Sequence, residues 1–507
     1  MLGSMGEWSD GVDFQLADLR RRIAKLETAD GGGGSGQSPA SSTPPLSLPW
    51  LVVENGVFKK GCGGPEFRAW SVNVVAYAIT HSTEDQLKGF LDRCASSGIT
   101  LLRVLHWAID ETGGYIPTYA DCDKYLPKLI NFVRLCKERD IRVWLTCHHR
   151  HRLTQEESPS LLATEMLWAN RPAGITKGEI SDLFLWDDGL EGVVRRTAVA
   201  LAKVFSGDPT VSLITIANEK CAVRSRLYFP KDRGSTTLSA YAKRWFEKLD
   251  QYLEVTGLDD RDMNRPAIER FHAWVGYTAY RRLYKALRDE AGVKCPINAT
   301  SVFGDTKMSG LIEQMAGDFI DFHIYPENDQ IPDPVSPLSN ASESRTFGST
   351  AAALHLEDYP LTCSEWGSVY QQGPQAKSVS VSRLTGPAFV AGHCSVQGVS
   401  VACQYAAHSH PIGGPTAKNE SYDSFRDHDF EDVFTRARPE FMRAAQAPEA
   451  SPMLTEAELF GSGVGPQFSI PQPGTQSWAV DAAVSSGQRL TVLPVPFWVN
   501  ANGQEAS

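Results

Sequence analysis

Val211-Ser212-Leu213-Ile214-Thr215-Ile216-Ala217 leads directly into Asn218-Glu219, and this stretch decides how the chain is read. The run is short, apolar and β-branched, with turn residues on either side. That pattern marks a strand buried on both faces. A second run of the same kind, Tyr359-Pro360-Leu361-Thr362-Cys363-Ser364, leads into Glu365-Trp366-Gly367. A carboxylate at the C-terminal tip of a buried strand, with polar loop beyond it, sits where a parallel α/β barrel keeps its chemistry.

Further strands are expected near 69–76, 99–105, 141–147, 295–301, 319–324 and 398–404. Amphipathic stretches lie between them, at 84–97, 125–139, 191–205, 241–255 and 277–291. Repeated strand–helix units imply a parallel sheet. Eight such units over roughly 400 residues fit a (β/α)8 TIM barrel with long loops. A doubly wound open sheet is disfavoured, because no glycine-rich phosphate loop follows the first strand.

Four segments are expected. Residues 1–30 form a short helical stub, with Val12, Leu16, Leu19, Ile23 and Leu26 spaced as an a/d seam. Residues 31–48 are a Gly/Ser/Pro linker by composition. The barrel occupies 49–446 and begins with a hairpin around Asn55-Gly56. Residues 447–507 turn rich in Pro, Gly and Ser, carry one strand-like run at 488–499, and read as a small β-rich appendage. The seam at 12–26 suits either an oligomerisation device or a surface helix.

The composition, 42% hydrophobic and 21% charged, is that of a soluble globular chain. A net charge of −11 argues against a nucleic-acid or anionic-membrane partner. No stretch has the roughly 18 uninterrupted apolar residues of a membrane span. Residues 1–30 are polar and carry no apolar signal-peptide core. The ten cysteines form no CxxC pair, and several fall in core segments. Free buried thiols in a reducing compartment, cytoplasmic or within a particle, are expected.

Taken in order, the strand ends carry Arg103, His148, Asn218-Glu219, His323 with Tyr325, and Glu365. This ordered set resembles the clan A glycoside hydrolases, and within them the family 5 cellulase/mannanase type, over roughly residues 49–446. The matching motifs are LLRVLHW, VWLTCHH, ITIANEK, DFHIYP and LTCSEWG. The resemblance implies that Glu219 is the acid/base and Glu365 the nucleophile of a retaining mechanism. Two positions depart from the family pattern. Lys220 follows the acid/base where proline is usual, and Gln404-Tyr405 stands where strand 8 usually ends in a sugar-stacking tryptophan.

Elementary chemistry agrees with this reading. Retaining glycosidases hold two carboxyl groups about 5–5.5 Å apart. One must be protonated at working pH, and the other must be ionised beside a cation such as Arg103. Asn218 suits a sugar 2-hydroxyl, and Tyr325 suits the nucleophile. Trp366 and Tyr405 are further candidates for substrate contact, and Trp107, Trp168, Trp186 and Trp274 fall in or beside predicted loops of the same face.

The dense histidines at 148–151 and at 408 and 410 lack an acidic ligand at a recognisable spacing, so no metal and no cofactor is expected. The expected partner is a β-linked glucan, mannan or related oligosaccharide. Two other readings use the same barrel. One is a carbohydrate-binding protein with reduced turnover, such as a particle-associated adhesin. The other is a transglycosylase using the same glutamates.

Overall fold

The chain divides into two units, Met1–Leu46 and Ser47–Ser507. The computed structural model describes residues 48–105, 119–169, 176–222, 239–259, 263, 265–303, 308–324, 339–340, 345–346, 356, 358–367, 386–388, 390–392, 394–395, 397–413, 424–426 and 428–443. The expected stub at 1–30, the linker up to residue 47 and the appendage at 447–507 lie outside the described residues.

Eight strands form the centre. They are β1 (Ala69–Val75), β2 (Leu101–Leu105), β3 (Arg142–His148), β4 (Val211–Ala217), β5 (Ile297–Thr300 continued by Val302–Phe303), β6 (Ile320–Ile324), β7 (Leu361–Trp366) and β8 (Val401–His408). All pairings among them are parallel. The order runs β1 to β8 around the ring, and β8 pairs back onto β1. β5 closes the ring in two pieces: Ile297–Thr300 pairs with β4 and Val302–Phe303 pairs with β6. This is a (β/α)8 barrel.

Every residue of β1, β2, β3, β4 and β7 is buried. That explains why these segments read as continuous apolar runs and not as alternating ones. Among the described residues the main helices are α1 (Ala76–His81), α2 (Glu84–Ser96), α3 (Tyr119–Lys137), α4 (Asp188–Phe205), α5 (Ala240–Thr256), α6 (Arg265–Asp289), α7 (Met308–Gln314) and α8 (His428–Met442). Their starts carry local signals. Thr83 and Gln86 form a reciprocal capping box on α2, and Asp187 accepts the Leu190 amide at 2.9 Å to open α4. Among the described residues, no helix is long and apolar enough to cross a membrane.

The expected hairpin is present, with Leu51–Glu54 paired to Val57–Lys60. Asn55 and Gly56 both take positive φ, 54° and 68°, as a two-residue hairpin turn of this hand requires. Leu51 and Phe58 of the hairpin join Leu101, Trp144, Leu213, Phe319 and Val401 in one buried cluster. The hairpin therefore seals the N-terminal end of the barrel and leaves the C-terminal ends of the strands as the accessible mouth.

One close approach fixes the loop after β4. Glu313 on α7 is fully buried, and its Oε2 accepts the Ala222 amide at 3.1 Å. To get there it passes over Gly276 of α6, where an added Cβ would lie 2.3 Å from the Glu313 carboxyl group. Gly276→Ala is therefore expected to cost about 1–3 kcal/mol. A lowered thermal midpoint against wild type checks it, whereas an unchanged midpoint would mean that Glu313 moves aside freely.

Candidate active site

Four strand ends bring charged and polar side chains together inside the mouth. β2 supplies Arg103, which is fully buried, with its guanidinium 5.5 Å above the Trp144 ring. Arg103 Nη1 donates to Glu365 Oε1 at 2.8 Å and to Asn73 Oδ1 at 2.9 Å. Its Nη2 donates to Asn218 Oδ1. Burial alone would lower the Arg103 pKa, but the negative charges of Glu365 and Asp321 more than offset this and the net direction is up. The guanidinium is thus a fixed positive charge that ties β1, β2, β4 and β7 together.

Glu219 follows the last residues of β4 with φ at +54°, a left-handed conformation unusual for a non-glycine residue. Such a conformation costs on the order of 1–3 kcal/mol and persists only when its surroundings enforce it. Here the Lys220 amide donates to Thr300 Oγ1 at 3.1 Å, and the Tyr280 hydroxyl donates to Lys220 O. A proline at 220 has no amide hydrogen for the first of these bonds, which gives the departure from the family pattern a physical reason.

β7 carries a bulge. Cys363 pairs with Phe322 and Glu365 pairs with His323, so Ser364 falls out of register. Bulges re-aim side chains, and this one sets Glu365 beside His323. His323 Nδ1 lies 2.7 Å from Glu219 Oε1 and 3.5 Å from Glu365 Oε2. Glu219, His323 and Glu365 each offer one donor atom, and all three atoms lie within 4.8 Å of one another. Among the described residues, these three form a group that could hold a metal ion. However, these side chains are already engaged with one another and with Arg103, and a buried guanidinium beside Glu365 opposes a second cation.

The other expected residues fall as follows. Asn218 is buried, accepts from Arg103 and offers its amide nitrogen to His149 Nδ1 at 3.1 Å. His148 does not take the expected place in the site. It is 1% exposed, with Nδ1 3.0 Å from His151 Nδ1, Nε2 3.2 Å from Ser181 O, and its ring edge-on to Phe184. β3 ends at His148, and the next ring, His149, reaches Asn218. Trp366 is also not where a sugar-stacking ring would be. It is 3% exposed and stacks on Trp70 at 5.1 Å and Phe434 of α8 at 6.2 Å, in the layer between sheet and helix. Tyr405 is the only residue of β8 that is not buried, and the Tyr405–Ala406 peptide is cis. Tyr325 and Trp107 lie outside the described residues.

Trp186 packs against Tyr241, Phe271 and His272, and Trp274 packs against Tyr252, so both belong to the helical layer. Trp168 is half-buried over Gly178. His408 packs edge-on to Phe90. Nine cysteines are described, all as free thiols, and eight of them are buried. Burial pushes the Cys147, Cys295 and Cys403 thiols up to about 12.

Four supporting residues are not among the site residues expected from the sequence. Asn73 of β1 donates to the Ser364 carbonyl at 2.8 Å and to the Gln404 carbonyl at 3.2 Å, which satisfies backbone freed by the irregular register of β7 and β8. Asp321 and Ser364 stand behind His323. His149 is the fourth. Burial and the nearby Lys220 charge hold the His149 pKa well below its usual range.

His148 gives a pH prediction. Burial, with Lys220 second, lowers its pKa from 6.5 to about 3. The unfolded chain therefore binds a proton between those values that the folded chain does not. Stability rises with pH across this window and is lost as pH falls from 6.5 towards 3. His148→Gln should flatten that slope in urea unfolding followed against pH. An unchanged slope would contradict the assignment.

No protein-family description and no curated protein sequence matches the chain. Solved structures similar to it include glycosidases. The endo-1,4-beta-mannanase from Rhizomucor miehei is 13% identical, with 78% of this chain and 100% of that chain covered and a TM-score of 0.44. A beta-glucanase from Saccharophagus degradans, solved with cellotetraose, is 15% identical, with 80% and 98% covered and a TM-score of 0.44. An exo-beta-1,4-mannosidase from an Opitutaceae bacterium is 15% identical, with 87% and 72% covered and a TM-score of 0.49. At this level of similarity the fold assignment stands on the closed eight-stranded sheet itself.

Proposed function

We propose that the protein is a retaining glycoside hydrolase acting on a β-linked glucan, mannan or related oligosaccharide. The observation that carries this reading is the approach of Glu219 and Glu365 at the ends of β4 and β7, with donor atoms within 4.8 Å of each other across His323. Double displacement calls for carboxyl groups about 5–5.5 Å apart, whereas inversion needs about 6.5–9.5 Å to admit a water.

Glu365 is the nucleophile in this reading. It is 5% exposed and held by the Arg103 guanidinium, which presents it as an anion with a defined orientation. Glu219 is the acid/base, with a more exposed side chain, at 20%, from which to reach the leaving oxygen and later the incoming water. In the first step Glu365 attacks the anomeric carbon while Glu219 gives its proton to the departing oxygen. In the second, Glu219 takes a proton from water as the water displaces Glu365. The Asn218 amide nitrogen has a second hydrogen, which suits a sugar 2-hydroxyl, and Tyr405 is the side chain of β8 open to contact substrate. These steps draw on protein side chains alone.

The test is the anomer first released from a β-linked oligosaccharide or aryl β-glycoside, followed by ¹H NMR. Initial release of the β-anomer supports the reading, and initial release of the α-anomer overturns the mechanism. No release from any β-glycoside favours a binding protein, and transfer to added acceptor sugars in preference to water favours a transglycosylase.

A further inference from the structure

Behind the two glutamates lies a buried chain of polar groups. Asp321 of β6 is fully buried. Its Oδ1 accepts the Ser364 amide at 2.9 Å and the Thr362 hydroxyl at 2.7 Å. Its Oδ2 accepts the Ser364 hydroxyl at 2.5 Å. Ser364 Oγ is in turn 2.8 Å from His323 Nε2. A hydroxyl carries one hydrogen. Once that hydrogen goes to Asp321, Ser364 Oγ has only lone pairs left for His323, so Nε2 must be the donor. A neutral imidazole protonated on Nε2 has a lone pair on Nδ1. That lone pair faces Glu219 Oε1 at 2.7 Å. Two lone pairs cannot approach this closely without a proton between them, so a single proton is shared between Glu219 Oε1 and His323 Nδ1.

We propose that Asp321 and Ser364 are positioning residues that lock His323 in its Nε2–H tautomer, leaving Nδ1 as an acceptor that keeps Glu219 protonated at rest. The catalytic consequence rests on the glycosidase reading; the tautomer does not. A hydrogen bond to the neutral form of an acid favours that form. The single proton held between Glu219 and His323 leaves with the departing oxygen in the first step and is restored from water in the second. Four charged or titratable groups surround this pair. They are Asp321 on the same strand as His323, Glu365 on β7, Arg103 of β2 through Glu365, and His149 after β3 through Asn218.

Two variants of the full chain test the lock. Ser364→Ala removes the acceptor for Nε2. Asp321→Asn keeps the shape but frees the Ser364 hydroxyl to donate to Nε2. Either change turns His323 to the Nδ1–H form, which donates to an ionised Glu219. With ¹⁵N-labelled histidine, and His323→Gln to assign its signals, wild type should show Nε2–H at His323 and both variants Nδ1–H. The alkaline limb of kcat/KM on an unactivated β-glycoside should move down by about one pH unit in the variants. Nδ1–H in wild type overturns the proposal. So does an unchanged tautomer or an unchanged limb in a folded, active variant. If wild type cleaves no glycoside, the proposed function fails, and the NMR result still decides the lock by itself.

Discussion

Glu365→Gln is expected to lower turnover of every glycoside, activated or not, by about 10⁴–10⁶-fold while the barrel stays folded. The change keeps the size of the side chain and one acceptor for Arg103, but removes the oxygen anion that bonds to the anomeric carbon. No glycosyl-enzyme forms, so no burst of aryl leaving group precedes steady state. Shortening the side chain, as in Glu365→Ala, opens room beside the anomeric carbon. Azide then attacks the substrate from the face Glu365 would have used, and the product is the inverted α-glycosyl azide. Near-normal turnover in Glu365→Gln would make the carboxylate structural and favour a carbohydrate-binding protein.

Glu219→Gln is expected to behave differently with each substrate. Natural sugars leave as poor alkoxides and need the proton, so their kcat/KM should fall by about 10²–10⁴-fold. An aryl β-glycoside with an activated leaving group needs little protonation, so its first step should be nearly spared. The second step then limits, because no base activates water. The aryl substrate should show a burst followed by slow turnover. Azide needs no base and attacks the trapped intermediate, giving the retained β-glycosyl azide and a faster steady state. The anomers assigned by NMR separate the roles. Swapped stereochemistry between the Glu219 and Glu365 variants would mean that the two roles are reversed.

These expectations began with two strand-tip glutamates, and the sequence carried that far because β4 and β7 are buried on both faces. Their apolar runs have no alternation to mislead: Glu365 lies within β7, and Glu219 follows just beyond the end of β4. β8 is less faithful. Its expected span, 398–404, stops short of Val401–His408, because the shift in register beyond Gln404 leaves no mark on hydrophobic pattern. The expected fifth strand, 295–301, is broken at Ser301, so two short pieces pair on opposite sides.

At the site, the ambiguity lies where strands end. In His148-His149 either ring has the right chemistry, and the direction of the chain after the last paired residue decides between them. The structure gives Asn218 to His149 and encloses His148 with His151. Trp366 misleads for a related reason: adjacent to Glu365, it faces the opposite side of the strand, into Trp70 and Phe434. The supporting groups had a faint signal. Asn73 is an amide in the centre of Ala-Trp-Ser-Val-Asn-Val-Val, and Asp321 is a carboxylate near the start of a five-residue strand. A buried polar group in such a run needs partners, but only the register of β7 shows that those partners surround His323.

The central claim is that Glu365 bonds to the sugar while Glu219 handles the proton. An activated 2-deoxy-2-fluoro-β-glycoside slows both steps, and slows release more than attachment when its leaving group is good. Mass spectrometry of the intact protein and of its peptides after incubation measures this most directly. The account predicts one added glycosyl group, located on Glu365 and lost when an acceptor sugar is supplied. A label on Glu219, or hydrolysis with inversion and no label at all, would contradict it.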